Sequence, residues 1–393
     1  MKKLPSLARA KWLSEPALQK IFAAIAEAGG EARVAGGAVR NALLKIPVAD
    51  IDIATTLAPE RVTEMCQAAG LKVVPTGIAH GTVTVVVDHR PYEVTTLRHD
   101  VETDGRRARV AFHDDWERDA LRRDFTVNAL YCDAHGKIYD FTDGYRDILR
   151  NRISFVGSPA KRIAEDYLRI LRFFRFHARF GKGAPGKAGL AACARNAKGL
   201  DGLSAERIRQ EMFKLLAAPG AVATLKAMAR SGILRHVIPY TEHWRVLARL
   251  PPDPVLRLAV LAAESDTLKE RLRLSNHDAG RIAAVLANLP PAPELRAHEQ
   301  RVVLYHLGPE CWRDSVQLAW AKSRAPLNDA RWKRLLRLPD RWSIPALPVS
   351  GRDLIAAGLK AGPELGATLR RLEDWWIASD FKAGRDALLK RIG

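Results

Sequence analysis

The chain has 393 residues, with 63 Lys and Arg against 44 Asp and Glu, a formal net charge of +19 and 47 % hydrophobic residues. That hydrophobic share supports packed cores and excludes a disordered basic tail, the length points to two or three domains, and the charge suits a polyanionic partner. Cys66, Cys132, Cys193 and Cys311 lie far apart with no C-x-x-C pair, which argues against a disulfide framework or zinc site and fits a reducing cytoplasm.

The N-terminus MKKLPSLARAKW begins like a secretory signal, but Arg9 and Lys11 interrupt its apolar run. No later run approaches the roughly 18–20 apolar residues of a membrane span, so no membrane partner is expected. Residues 1–30 read as helical, with Leu18, Ile21, Phe22 and Ile25 at spacings of three and four before Gly29-Gly30. Residues 31–35 read as a strand running into Gly36-Gly37, and Ala38 to Leu44 as a helix start. Three β-type runs follow, DIDIATT (50–56), GTVTVVV (81–87) and YEVTTLR (92–98), the last two joined by Asp88-His89-Arg90-Pro91 as a hairpin. Residues 99–117 are charged and weakly patterned and read as a mobile loop. From Ser158 onward helical spacing dominates, punctuated by Pro-containing breaks at 219–220, 251–252, 290–291 and 344–345. Seven of the nine tryptophans fall between Trp244 and Trp376. At helical spacing they are read as core anchors, with base stacking as the alternative. The sequence carries no signal of oligomeric state.

The densest chemistry lies in VADIDIATT, Val48 to Thr56. In a strand, residues two apart share a face, so Asp50 and Asp52 point the same way, roughly 6.5–7 Å apart, while Ile51 and Ile53 turn to the core. Like charges that close repel unless a cation sits between them, and magnesium takes a few carboxylate oxygens while leaving positions for substrate phosphates. The alternative is two solvated aspartates at a strand edge. Just before them, RVAGGAVRNALL (33–44) sets two glycines between strand and helix, where backbone N–H groups can meet phosphate, and Arg40 can add a charged contact. Together the two stretches read as a nucleoside triphosphate cradle.

In RRDFTVN (122–128) a basic pair precedes Asp124, which by itself suits a helix-start salt bridge. In EDYLRILRFFRF (165–176) polar residues recur every third position of an apolar helix, so Asp166 and Arg169 are expected side by side. A structural ion pair answers that pattern, and so does a carboxylate beside a guanidinium fork reading the edge of a base. Glu93 is a possible further carboxylate near the metal, but alternation alone does not tell which face of its strand is the active one.

Taken in order, GGAVRN, DIDIATT, TGIAHGTVTVVV, YEVTTLR, RRDFTVNAL and EDYLRILRFFRF resemble the class II tRNA nucleotidyltransferase and bacterial poly(A) polymerase family of the polymerase β superfamily. The match runs from about residue 20 to 220, with a weaker echo at Ser350 to Gly366. The resemblance implies an α+β fold: a nucleotidyltransferase head (1–150) with a small mixed sheet, a helical neck (151–220) binding the base and the RNA 3′ end, and a helical body and tail (221–393) binding tRNA. It implies template-independent addition of nucleotides from CTP and ATP to the tRNA 3′ end, with Mg2+ held by Asp50 and Asp52 as catalytic residues. It places Gly36, Gly37, Arg40 and Arg123 on the triphosphate, Asp166 and Arg169 on the base, and Arg172 and Arg175 on the nucleotide. Asn41 stands where the family usually carries Asp, so a charge contact of that motif is altered. CC-adding members tend to lack the loop after the third strand, so the segment 99–117 favours a CCA-adding or A-adding enzyme, with polyadenylation as the alternative.

Overall fold

The computed structural model describes residues 4–78, 81–104, 107–262, 267–287 and 291–392; Ala79 and His80 of the TGIAHGT motif lie outside them. The chain divides into two compact units, Met1–Tyr240 with Glu270–Arg273, and Thr241–Lys269 with Leu274–Gly393.

The first unit opens with α1 (Pro16–Glu27), whose Leu18, Ile21 and Ile25 are fully buried, as their spacing predicts. β1 (Ala32–Ala35), α2 (Gly37–Leu43), β2 (Asp52–Thr55), α3 (Pro59–Ala68), β3 (Lys72–Gly77), β4 (Thr82–Val87) and β5 (Arg90–Thr96) follow. The turn between β4 and β5 is Asp88-His89, both at positive φ, the geometry that matches strand twist in a tight hairpin. β6 (Arg98–Asp104) and β7 (Arg107–Phe112) then pair as a separate two-stranded sheet, with Asp104 opposite Arg107. Within the segment 99–117, read from sequence as a mobile loop, the structure therefore has two paired strands, 98–104 and 107–112. Backbone ladder hydrogen bonds define them, and sequence periodicity reports only apolar faces.

α4 (Trp116–Leu121), a 3-10 turn (Thr126–Asn128), β8 (Leu130–Cys132), β9 (Ile138–Asp140) and α5 (Gly144–Leu149) complete a seven-stranded sheet of order β3-β4-β5-β2-β1-β8-β9. β2 and β5 run parallel and the other neighbours antiparallel, so the sheet is mixed. Next come α6 (Pro159–Glu165), α7 (Leu168–Phe180), α8 (Lys187–Arg195), α9 (Ala205–Leu216) and α10 (Ala221–Arg230). Ile170, Leu171, Phe173 and Phe174 of α7 are fully buried, and Phe125 packs against Phe173 and Phe176 at ring distances of 6.3 and 5.3 Å. This aromatic seam seats α7 beside the RRDFTVN segment.

The second unit is helical. Its longest helix, Ala297–Lys322, kinks at Gly308 (φ 72°) ahead of Pro309. Trp312 and Trp332 share one core with Leu304, Val316 and Leu335, and Trp376 anchors another with Leu354, Leu372 and Leu388. These three tryptophans are core anchors. Among the described residues no helix is long and apolar enough to cross a membrane.

Candidate active site

A cleft of about 470 Å³ in the first unit brings together Gly36, Gly37, Arg40, Asp52, Arg123, Asp166, Arg169 and Arg172, with Arg122, Asp124, Asn128, Leu168, Phe176 and Arg207. Asp50 and Arg175 lie outside this lining.

The strand geometry explains the acidic corner. Ile51 and Ile53 are buried, while Asp50 and Asp52, the residues preceding each, are exposed. β2 begins only at Asp52, so Asp50 lies two residues ahead of the strand. Parallel pairing sets Asp52 in register with Glu93 of β5, and register partners project from the same side of a sheet. This settles which face Glu93 occupies; sequence alternation could not, because it depends on a strand forty residues away. The Asp52 carboxyl is pushed up from the ordinary range, first by partial withdrawal from water, then by Glu93, with Asp50 adding to it and Arg123 opposing. Among the described residues no three metal-ligating side chains cluster. Asp50 and Asp52, with Glu93 alongside, nevertheless fit a divalent cation. They are hard oxygen donors whose mutual repulsion such an ion relieves, and two carboxylates leave coordination positions for phosphate and water.

The glycine turn begins beside Asp52, whose register partner in β1 is Ala35. Gly36 has φ +65°, and a Cβ there would sit 3.1 Å from the Asn128 carbonyl and 3.3 Å from Arg123 Nη1. The chain thus needs glycine for conformation and for space. One turn on, Arg40 is 9 % exposed and stacks on Phe180, its guanidinium carbon 4.4 Å from the ring centroid. Its Nε and Nη2 donate to Asn41 Oδ1 at 3.2 and 2.9 Å, and Nη1 donates to Asn128 Oδ1. Burial and the nearby Arg175, Arg179 and Arg172 lower its pKa to about 10, with Asp124 pulling the other way.

Arg122 and Arg123 are both tied to Asp119, at 2.7 and 3.1 Å, and Tyr131 Oη donates to the same carboxylate at 2.6 Å. Asp119 is 1 % exposed; burial opposes its charge, but Arg123, Arg122 and Tyr131 outweigh it and hold the pKa at about 2. A carboxylate with depressed pKa stabilises the fold above its unfolded value and loses that contribution as pH falls through the folded one. Asp119→Asn is therefore expected to cost about 3–5 kcal/mol in urea unfolding at neutral pH, because two guanidinium groups lose their counterion. The fall in stability of the parent between about pH 4 and pH 2 should also be shallower in the variant.

The expected single helix across EDYLRILRFFRF is broken. α6 ends at Glu165, Asp166 is extended (φ −158°, ψ 108°), and α7 starts at Leu168, whose N–H donates to Asp166 Oδ1 at 3.1 Å. Asp166 and Arg169 are consequently not an ion pair. Asp166 pairs with Arg207 of α9 at 2.7 Å, while Arg169 binds Glu165 and donates to the Arg162 carbonyl at 2.9 Å. The break has a local cause: an aspartate at a helix start caps a free N–H better than it continues the helix. Arg172 Nε donates to Asp124 Oδ2 at 2.8 Å, and Arg175 meets Glu211 at 2.6 Å. Asp119, Asn128, Arg207 and Glu211 escaped the sequence reading, although the E-R-x-R-x-E spacing of Glu206 to Glu211 hinted at a charged helix face.

Known proteins resemble this chain in sequence and in fold. Residues 32–154 match the family described as "Poly A polymerase head domain", and residues 187–245 the one described as "Probable RNA and SrmB- binding site of polymerase A". The chain is 35 % identical over 386 residues to CCA tRNA nucleotidyltransferase 1, mitochondrial, of Danio rerio, covering 92 % of this chain and 87 % of that one. It is 33 % identical over 393 residues to the CCA-adding enzyme of Limosilactobacillus fermentum, covering 96 % of each. The crystal structure of Bacillus stearothermophilus CCA-adding enzyme in complex with CTP superposes with a TM-score of 0.80 at 30 % identity, over 96 % of this chain and 97 % of that one. The chain belongs to the class II family of CCA-adding tRNA nucleotidyltransferases and bacterial poly(A) polymerases.

Proposed function

We propose that this cleft carries out template-independent addition of CMP and AMP, from CTP and ATP, to the 3′ end of tRNA, releasing pyrophosphate. The observation that carries this reading is the meeting, in one cleft, of a carboxylate at a strand end, a glycine turn with a buried arginine, and a base-sized polar edge at Asp166 and Arg169.

In the reaction the RNA 3′-oxygen forms a bond to the α-phosphorus and the bond from that phosphorus to the bridging oxygen of pyrophosphate breaks. Asp50 and Asp52 are the residues that would hold magnesium, which when bound lowers the hydroxyl pKa and offsets charge on the leaving oxygens. Arg40, Arg123 and the Gly36-Gly37 turn hold the triphosphate in line. Asp166 and Arg169 present the acceptor and donors that read the base, and Arg172 and Arg175 support them. Residues 1–150 act as head, 151–220 as neck and 221–393 as tRNA-binding body and tail. A net charge of +19 matches a long RNA partner. With its cysteines free and three of them buried, the protein works in a reducing cytoplasm.

Purified protein with magnesium, given transcripts ending before CCA, after C or after CC, is expected to restore the three-nucleotide terminus from CTP and ATP and then stop. The product ladder on a denaturing gel decides it. Long A-tracts on unrelated RNA establish the polyadenylating alternative, and addition of A alone to CC-ended transcripts the A-adding one.

A further inference from the structure

Six arginines line the cleft: Arg40, Arg122, Arg123, Arg169, Arg172 and Arg207. Five have a carboxylate partner. Arg122 and Arg123 share Asp119, Arg169 has Glu165, Arg172 has Asp124 and Arg207 has Asp166. Arg40 differs. Among the described residues its side-chain partners are two neutral amide oxygens, Asn41 Oδ1 and Asn128 Oδ1, together with the faces of Phe176 and Phe180. Those amides engage three of the five guanidinium N–H groups, one each on Nε, Nη1 and Nη2. One hydrogen on each terminal nitrogen is left for another acceptor. The group is thus held in place by hydrogen bonds to neutral acceptors, with Asp124 acting on it only from a distance.

An amide and a carboxylate at position 41 would differ in one respect that matters here. Both accept from Nε and Nη2, but only the carboxylate neutralises the guanidinium. We infer that Asn41 is a positioning residue that sets phosphate affinity: it aims Arg40 without neutralising it, so that this arginine delivers its full charge to the pyrophosphate portion of the bound nucleotide and to released pyrophosphate. The surroundings are consistent with an anion completing the site. Arg175, Arg179 and Arg172 act on Arg40 repulsively and Asp124 attractively, while Asp124 and Glu211 make their direct ion pairs with Arg172 and Arg175. The assignment rests on the reading that the triphosphate lies against Arg40.

The test uses the full-length protein titrated calorimetrically with inorganic pyrophosphate, beside steady-state CTP incorporation. Asn41→Asp is expected to weaken pyrophosphate binding about tenfold, since a new charge within contact distance of the guanidinium competes directly with the ligand. KM for CTP should rise by a similar factor, with kcat changed less than about twofold. Asn41→Ala, which removes the acceptor but adds no charge, should cost less than Asn41→Asp. The melting temperature of Asn41→Asp should not fall, because the change adds an ion pair, so weakened binding cannot be a folding defect. Arg40→Lys separates the role of Asn41 from that of Arg40. If Arg40→Lys weakens pyrophosphate binding and Asn41→Asp does not, the role given to Asn41 is overturned while Arg40 stays a phosphate ligand. If neither variant changes the affinity, the placement of the phosphate tail is itself overturned.

Discussion

Asp52→Asn is expected to lower nucleotide incorporation at least about a thousandfold, the scale of loss when an electrostatic element of a transition state is deleted. Asp52 is held outward by the burial of Ile51 and Ile53, and in register with Glu93 by parallel pairing, so its carboxylate is aimed by the sheet. Its raised pKa means that the folded protein holds a charge it disfavours. The sign follows: an acid whose folded pKa lies above its unfolded one subtracts stability once ionised, so replacing it with a neutral isostere should leave the melting temperature unchanged or higher. Activity that collapses while stability holds or improves separates a catalytic carboxylate from a structural one. Single-turnover incorporation of CMP, with melting curves on the same samples, makes the comparison. Near-normal turnover by Asp52→Asn or Asp52→Ala would remove Asp52 from the chemistry.

Legibility in the sequence follows the range of the interactions involved. The apolar spacing of Leu18, Ile21 and Ile25, the outward position of Asp52 between buried Ile51 and Ile53 and the glycine turn at Gly36 are all set within a few residues, and each stands in the structure where local pattern puts it; the strand expected from Asp50 begins only at Asp52. What escaped depends on partners far along the chain. Glu93 faces Asp52 only because β2 and β5 pair, and Asp166 has Arg207 as its partner because α9 packs on α7. The helix break at Asp166 is a different kind of miss. Periodicity carries through EDYLRILRFFRF uninterrupted, yet a capping carboxylate competes locally with helix continuation, and the pattern of apolar residues does not register that competition. Asn128 is a third kind: as a small polar residue in an apolar stretch it looked unremarkable, although it bridges Arg40 and Asp124.

That break at Asp166 gives the second large effect. Asp166→Ala is expected to lower kcat/KM for both CTP and ATP about a hundredfold and to admit UTP and GTP, because a site that reads a base by hydrogen bonds loses most of its discrimination when the acceptor goes. Each oxygen of the carboxylate already takes one protein donor, Arg207 Nη2 at 2.7 Å on Oδ2 and the Leu168 N–H at 3.1 Å on Oδ1, which fixes its orientation and leaves lone pairs for a ligand. Cytosine and adenine both carry an exocyclic amino donor where uracil and guanine carry a carbonyl oxygen. An ionised carboxylate accepts from the first pair and repels the second, so one residue can choose two bases of different size and reject two others. Arg207→Met keeps Asp166 charged but frees it to turn, so it should raise KM for both nucleotides with less loss of selectivity than Asp166→Ala. Competition assays with the four nucleotides on one transcript, scored by the base incorporated, measure both quantities. If Asp166→Ala still excludes UTP and GTP as the parent does, base choice must be enforced by the shape of the cleft, and the hydrogen-bond reading of Asp166 fails.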